Sequence, residues 1–423
     1  MIRERVVVLS SMVPTFSHLG SVVLGTVVEQ IAMAGADVRF AYTGGGALLK
    51  ADADAERRLA RVGARPVEGA PPVIDDEMLP KSAAARLARY VRETIDPRIE
   101  GDAPRFRDPA GEVERLMASG ASAALLFWDT HYERLVPALS RAGMRVYGYL
   151  ARPPMAASQV QSREKLHGLK RGLTDARLRA KERRHLQRMR SLSGARNICA
   201  LDTAWYDRHG VRCRYLPNTW PDAYGDAWPA LRRAAEERRR GIHILGNIGV
   251  LSSTGNYYGM LYLADRVLPL LARKLRATEF TINICGRFEF PPSLDRLRRE
   301  PNVAIRGFVS DIDEEMLGNH IFLVLNNAGP YPGGYTRVIF AFSSAACLIA
   351  HRRLAESMPE LVHDENCLLG DTPESIADLI AAAARDSALR RRIGAAARRT
   401  YVERYRPAII AEDLVRMMTG KGA

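Results

Sequence analysis

Short apolar runs recur along this chain, and most end in a glycine-containing or polar turn that leads into an amphipathic stretch. Val6 to Ser11 is the first, a valine-rich run suited to a parallel strand buried on both faces. The loop MVPTFSHLGS follows it, then a predicted helix from about Val22 to Ala34 and a strand from Ala36 to Tyr42. Loop and helix between two apolar strands form a βαβ unit with a right-handed crossover. The same reading gives a helix from Ala55 to Val62, a weak strand from Arg65, and a helix from about Ser82 to Glu93. Further strands are expected at Ala123 to Trp128, Met144 to Leu150, Ala195 to Leu201 and Arg214 to Leu216, with helices at Glu133 to Ala142 and Ala204 to His209.

The rhythm restarts after a proline- and charge-rich stretch from Pro217 to Arg240, which reads as a linker. The strand HILGNIG precedes a helix from about Tyr257 to Lys274. TINICGR, the turn RGFVSD, the strand Ile321 to Leu325 and the turn GGYTR come next, with a helix starting near Val338. A helix from Arg390 to Arg404 is broken at Tyr405, Arg406 and Pro407 before a last helix to about Met418. A chain of 423 residues exceeds what one core usually supports, so the division is an α/β domain over 1–220, a second over 221–400, and a C-terminal helix over 401–423.

Composition is ordinary for a globular protein, with 47% hydrophobic and 26% charged residues. The five cysteines are odd in number and have no CxxC spacing, which favours small core hydrophobes over disulfides or metal ligands. MIRERVVVLSS enters a strand directly, without a signal-peptide core, and no apolar run is long enough to span a membrane, so a cytoplasmic location is expected. The net charge of +14 is concentrated between Arg163 and Arg190, where eleven Lys or Arg face three acids on one or two amphipathic helices. Three readings stand for residues 163–190: a solvated helix face, peripheral contact with the anionic inner face of a membrane or a lipid-phosphate acceptor, and nucleic acid. The last has no accompanying motif.

Two turns carry candidate chemistry. Gly246 and Asn247 lie ahead of one helix, and Gly333, Gly334, Tyr335, Thr336 and Arg337 ahead of another. A helix N-terminus offers free N–H groups and the positive end of a dipole to phosphates. Glycines allow close approach, Thr336 is placed to cap the helix, and Arg337 adds a fixed charge.

The order and spacing of these turns resemble the donor half of GT-B glycosyltransferases, in particular retaining family 4. Gly333 to Ala350 resembles its Gly-rich turn, basic position and apolar helix. Gly286 and Arg287 resemble the loop facing diphosphate and sugar, and Gly307, Phe308 and Val309 the turn lining the base pocket. Met358 to Val362 with Asn366 and Leu368 resembles the stretch after the donor loop. The resemblance implies two Rossmann-like domains facing each other across a cleft, with the last helix crossing back to the first domain. It implies transfer of a sugar from a nucleotide-diphosphate sugar to an acceptor hydroxyl, with retention and no bound cofactor or metal. The acceptor, a saccharide, lipid-linked or small molecule, is left open.

By the same resemblance, His131 and His18 are catalytic candidates with Arg287 and Arg337, Gly20 approaches the donor phosphate, and Arg152 contacts the acceptor. A lone histidine serves as readily as a structural hydrogen-bonder, and Asp202 and Thr203 as a helix cap. One departure stands out: where the family carries two glutamates separated by seven intervening residues, this chain has Pro332 and Phe340. That keeps a non-catalytic GT-B binding protein in view, beside a nucleotide-sugar epimerase.

Overall fold

Aliphatic runs bounded by turns form the strands of two parallel sheets. A computed structural model describes residues 4–15, 19–43, 53–69, 71–72, 74–75, 105–129, 131–151, 153, 166–251, 254–286, 290–326 and 335–420. The strands are β1 (Arg5–Ser10), β2 (Asp37–Tyr42), β3 (Arg65–Pro66), β4 (Ile74–Asp75), β5 (Arg105–Phe106), β6 (Ala123–Phe127), β7 (Arg145–Leu150), β8 (Gly194–Asn197) and β9 (Cys213–Tyr215). β10 (Ile242–Ile248), β11 (Phe280–Cys285), β12 (Val303–Gly307), β13 (Ile321–Val324), β14 (Cys347–His351) and β15 (Leu368–Gly370) follow. The chain divides into two compact units, residues 1–217 with 407–423, and residues 218–406.

In the first unit seven parallel strands run in the order β3-β2-β1-β6-β7-β8-β9. β4 and β5 form a separate antiparallel pair. Helix α1 (Leu19–Met33) connects β1 to β2, and α2 (Gly168–Met189) stands between β7 and β8. One face of the last two turns of α2 is buried: His185 Nδ1 lies 2.9 Å from Glu133, its Nε2 lies 2.7 Å from the Tyr206 hydroxyl, and Arg188 reaches Glu133 at 3.2 Å. Arg188 of the basic segment is thus engaged inside the unit, whereas Arg171, Arg179, Arg183 and Arg190 are exposed.

Six parallel strands make the second sheet, in the order β12-β11-β10-β13-β14-β15. Ile244, Ile282, Leu323 and Ile349 are fully buried in its core, and each such side chain contributes about 1.5–3 kcal/mol by burial. Helix α3 (Trp228–Glu237) lies within the stretch read as a linker, so that stretch is folded. Its Arg232 is buried and donates to the carbonyls of Ser344, Met316 and Asn319 at 2.9–3.2 Å. Helices α4 (Thr254–Tyr262), α5 (Tyr335–Ser343), α6 (Pro373–Arg385) and α7 (Ser387–Thr400) complete the unit.

Helix α8 (Pro407–Thr419) belongs to the first unit, where it packs on α1 and Asp413 accepts from Arg196 at 2.5 Å. Some boundaries differ from the sequence reading. The apolar residues after Asn197 start the helix Ala200–Arg208 because Cys199, not Asp202 or Thr203, caps it. The stretch predicted as one helix from Tyr257 becomes α4, a wide turn over Leu263–Val267 and the short helix Leu268–Leu271, around Pro269. The predicted helix at 82–93 lies outside the described residues. No helix among the described residues is long and apolar enough to cross a membrane. All five cysteines are free and buried, and burial pushes the thiols of Cys213, Cys285, Cys347 and Cys367 up to about 12.

Candidate functional site

In doubly wound sheets, ligands bind beyond the carboxyl ends of the strands where the strand order reverses. In the second unit that point lies between β10 and β13. Two buried asparagines stand there, Asn247 on the last turn of β10 and Asn326 just past β13. Both present their carboxamide oxygens to one guanidinium: Arg337 Nη1 donates to Asn247 Oδ1 at 3.2 Å, and Nη2 to Asn326 Oδ1 at 2.8 Å. Asn247 is fixed from behind, since its Nδ2 donates to the carbonyls of Gly249 and Cys285, both at 3.2 Å.

Arg337 sits in the first turn of α5, where the exposed N–H groups add to its positive field. Burial lowers its guanidinium to about 10, so it stays charged at neutral pH. Among the described residues no carboxylate pairs with it. A part-buried cation held only by neutral amides lacks a counter-ion, and an anion placed beside it recovers part of its desolvation cost.

Glycines let the neighbouring elements close on this point. A Cβ at Gly255, in the first turn of α4, would lie 2.7 Å from Asn326 Nδ2. Gly246 sits at a bulge where β10 slips its register against β11, and a Cβ there would meet Ile282 at 2.8 Å. The absence of a side chain at Gly246 thus allows the close packing of Ile282 beside Asn247. At the ends of β11 and β12, the Gly286 amide donates to the Gly307 carbonyl at 2.7 Å. Phe308 beside them is 65% exposed and Val309 is half-buried.

Thr336 is not the helix cap. α5 already begins at Tyr335, and the Thr336 hydroxyl accepts from Asn218 Nδ2 at 2.9 Å. Phe340 is 2% exposed and packs at a tilt against Trp220, with ring centres 5.0 Å apart. The place of the second family glutamate thus belongs to the core. His18, Arg152, Arg287, Gly333 and Gly334 lie outside the described residues, and Gly20 lies in the first turn of α1.

The corresponding point of the first unit lies between β1 and β6. Trp128, directly after β6, has φ +48°, a left-handed conformation rare for a bulky side chain and strained by about 1–3 kcal/mol. Its ring lies 4.9 Å from Phe127 and 6.0 Å from Tyr149. Buried Asp129 accepts from the Tyr132 amide and so fixes the short turn Tyr132–Leu135. Burial raises its carboxyl to about 7, against the opposing bonds from Tyr132 and Ser11. His131 Nδ1 lies 2.8 Å from the hydroxyl of Thr43, one residue past β2.

Asn326, Trp128 and Thr43 were not singled out from the sequence. Polar residues immediately after an apolar strand, as Asn326 follows Leu325, were the available signal.

No family model matches the chain, and no curated protein matches it in sequence. Solved structures do. A glycosyltransferase from Rickettsia africae is 11% identical with a TM-score of 0.59, over 100% of both chains. HepE from Anabaena, solved in complex with UDP, is 13% identical with a TM-score of 0.63, over 99% of this chain and 100% of its own. WaaG, a glycosyltransferase involved in lipopolysaccharide biosynthesis, is 15% identical with a TM-score of 0.59, over 98% of this chain and 100% of its own. With its two parallel sheets of seven and six strands, the chain has the GT-B fold of these glycosyltransferases.

Proposed function

We propose that the chain is a glycosyltransferase whose donor is a nucleotide-diphosphate sugar, acting with retention in the manner of family 4. The observation that carries this reading is Arg337, a charged guanidinium at the switch point of the second sheet, bound by Asn247 and Asn326 and paired with no described carboxylate. That is the chemistry a diphosphate requires, and Arg287 is the proposed second cation. The acceptor oxygen bonds to the anomeric carbon as the bond to the diphosphate oxygen breaks, and the acceptor proton passes to the departing diphosphate on the same face. Stabilising that leaving charge is then the main catalytic task, and Arg337 is the residue proposed for it. Phe308 and Val309 are proposed to line the base pocket. His131, oriented by Thr43, is the proposed contribution of the first unit.

UDP sugars are the first donors to test, because HepE was solved with UDP and with UDP-glucose. A thermal-shift panel of nucleotide diphosphates and their sugars, repeated on Arg337→Ala, tests the donor site. A shift confined to one nucleotide and lost in the variant supports the reading, and no shift with any of them refutes it. The structural neighbours, glycosyltransferases, do not favour the alternative of a protein that binds a nucleotide sugar without transferring it. Donor binding without turnover over a broad acceptor screen would select that alternative.

A further inference from the structure

A cavity of about 510 Å3 opens in the second unit at the amino ends of β13 and β14, the opposite end of the sheet from Arg337. It is lined by parts of α3 and α7 and by the residues that lead into the two strands. Its size suits a small molecule. Four arginines line it against two glutamates. Arg232 and Glu236 pair with each other at 3.1 Å, which removes one of each from consideration.

The remaining cations are under-used. Arg390 donates through Nη1 alone, to the carbonyls of Ala383 and Ala384, which leaves Nη2 and Nε without a partner among the described residues. Arg233 and Arg391 make no hydrogen bond or ion pair with the described residues. Burial lowers the Arg390 guanidinium, Glu236 counters this, and the adjacent Arg391 charge adds to the lowering. Such repulsion between neighbouring cations is relieved by an anion between them.

His320, 8% exposed, supplies an independent observation. Its Nδ1 accepts the amide proton of His243 at 3.1 Å, so in the neutral ring the proton sits on Nε2. Burial lowers this imidazole to about 4, which makes the neutral form the one present at neutral pH. Nε2–H has no hydrogen-bond acceptor among the described residues, and His320 lines the cavity. That Nε2–H faces the solvent of the cavity, and an anionic oxygen there would accept from it. Trp228 supplies a flat apolar wall.

We propose that this cavity binds a small phosphorylated ligand, held by Arg233, Arg390 and Arg391 with His320 donating from Nε2. The site is separate from the donor site, and the proposal does not rest on the glycosyltransferase reading. Inorganic phosphate, a hexose 6-phosphate and the same hexose without phosphate are the probes, titrated calorimetrically at millimolar concentrations. The proteins are the wild type, Arg337→Ala and Arg233→Ala/Arg391→Ala. Both replaced residues of the double variant are exposed, and an unchanged melting temperature without ligand verifies its fold.

The phosphates are expected to bind wild type and Arg337→Ala alike, with affinity at least about tenfold weaker in the double variant, as the loss of charge-assisted bonds predicts. A hexose phosphate that binds tighter than inorganic phosphate assigns the sugar to Trp228; equal affinities assign free phosphate as the ligand. The proposal is overturned by any of three results: no binding of either phosphate, binding lost in Arg337→Ala but kept in the double variant, or equal binding of the unphosphorylated hexose.

Discussion

The two units share one strand order but carry opposite chemistry at the point where that order reverses. In the second unit the point holds a cation: Arg337 between two neutral amides, with no described carboxylate beside it. In the first it holds an acid: Asp129, buried next to a left-handed Trp128 and two positions before His131. The backbone plan therefore supplies two equivalent places, and the side chains at the strand ends decide what each can do. A fixed cation suits phosphate, whereas a carboxyl near neutrality with a histidine beside it suits a group that exchanges protons.

The largest expected effect tests whether the second unit depends on its cation alone. Phe340→Glu removes a buried ring and inserts a charge beside Trp220. It should cost about 3–5 kcal/mol of stability in denaturant unfolding, as deletion of a buried Phe does. An unchanged midpoint together with improved donor binding would show that the position is free to face ligand, which contradicts its burial.

Next, Arg337→Ala should weaken nucleotide-diphosphate binding by about 1.5–3 kcal/mol, roughly tenfold to over a hundredfold in Kd by calorimetry. Wild-type binding should be level with pH up to about 9 and fall as the guanidinium, lowered to about 10, loses its proton.

The first unit should instead respond to mild acid and neutral pH. The Asp129 carboxyl stands at about 7 when folded against 3.8 ordinarily, so between these values the folded state binds the extra proton. Stability should thus decline as pH rises from about 4 to 7, with a slope of up to about 1.4 kcal/mol per pH unit. Asp129→Asn keeps the acceptor for the Tyr132 amide and should abolish that component of the pH profile; an unaltered profile would assign the slope elsewhere. The smallest effect is expected from Thr43→Val, about 1 kcal/mol for one hydrogen bond, read as a lowered midpoint in denaturant unfolding.

Much of the fold was legible because buried parallel strands leave continuous apolar runs, as at Val6 to Leu9 and Ile321 to Leu325. Boundaries were less so, since local pattern does not reveal which polar atom caps a helix. Cys199 and the start of α5 at Tyr335 both show this. The stretch 217–240 read as a linker because of its prolines and charges, yet Arg232 is buried there through carbonyls more than eighty residues away in sequence.

The sequence by itself determined the alternation of strand and helix, the repetition of that plan, and Arg337 as a cation after a Gly-rich turn. Those features are local, written in the spacing of apolar residues and in turn chemistry. Only the tertiary structure decided that Asn247 and Asn326 converge on Arg337, that Phe340 belongs to the core, and that Arg233, Arg390, Arg391 and His320 share a cavity. Each of these depends on which distant strands are neighbours and in what register, and a linear pattern carries no record of that.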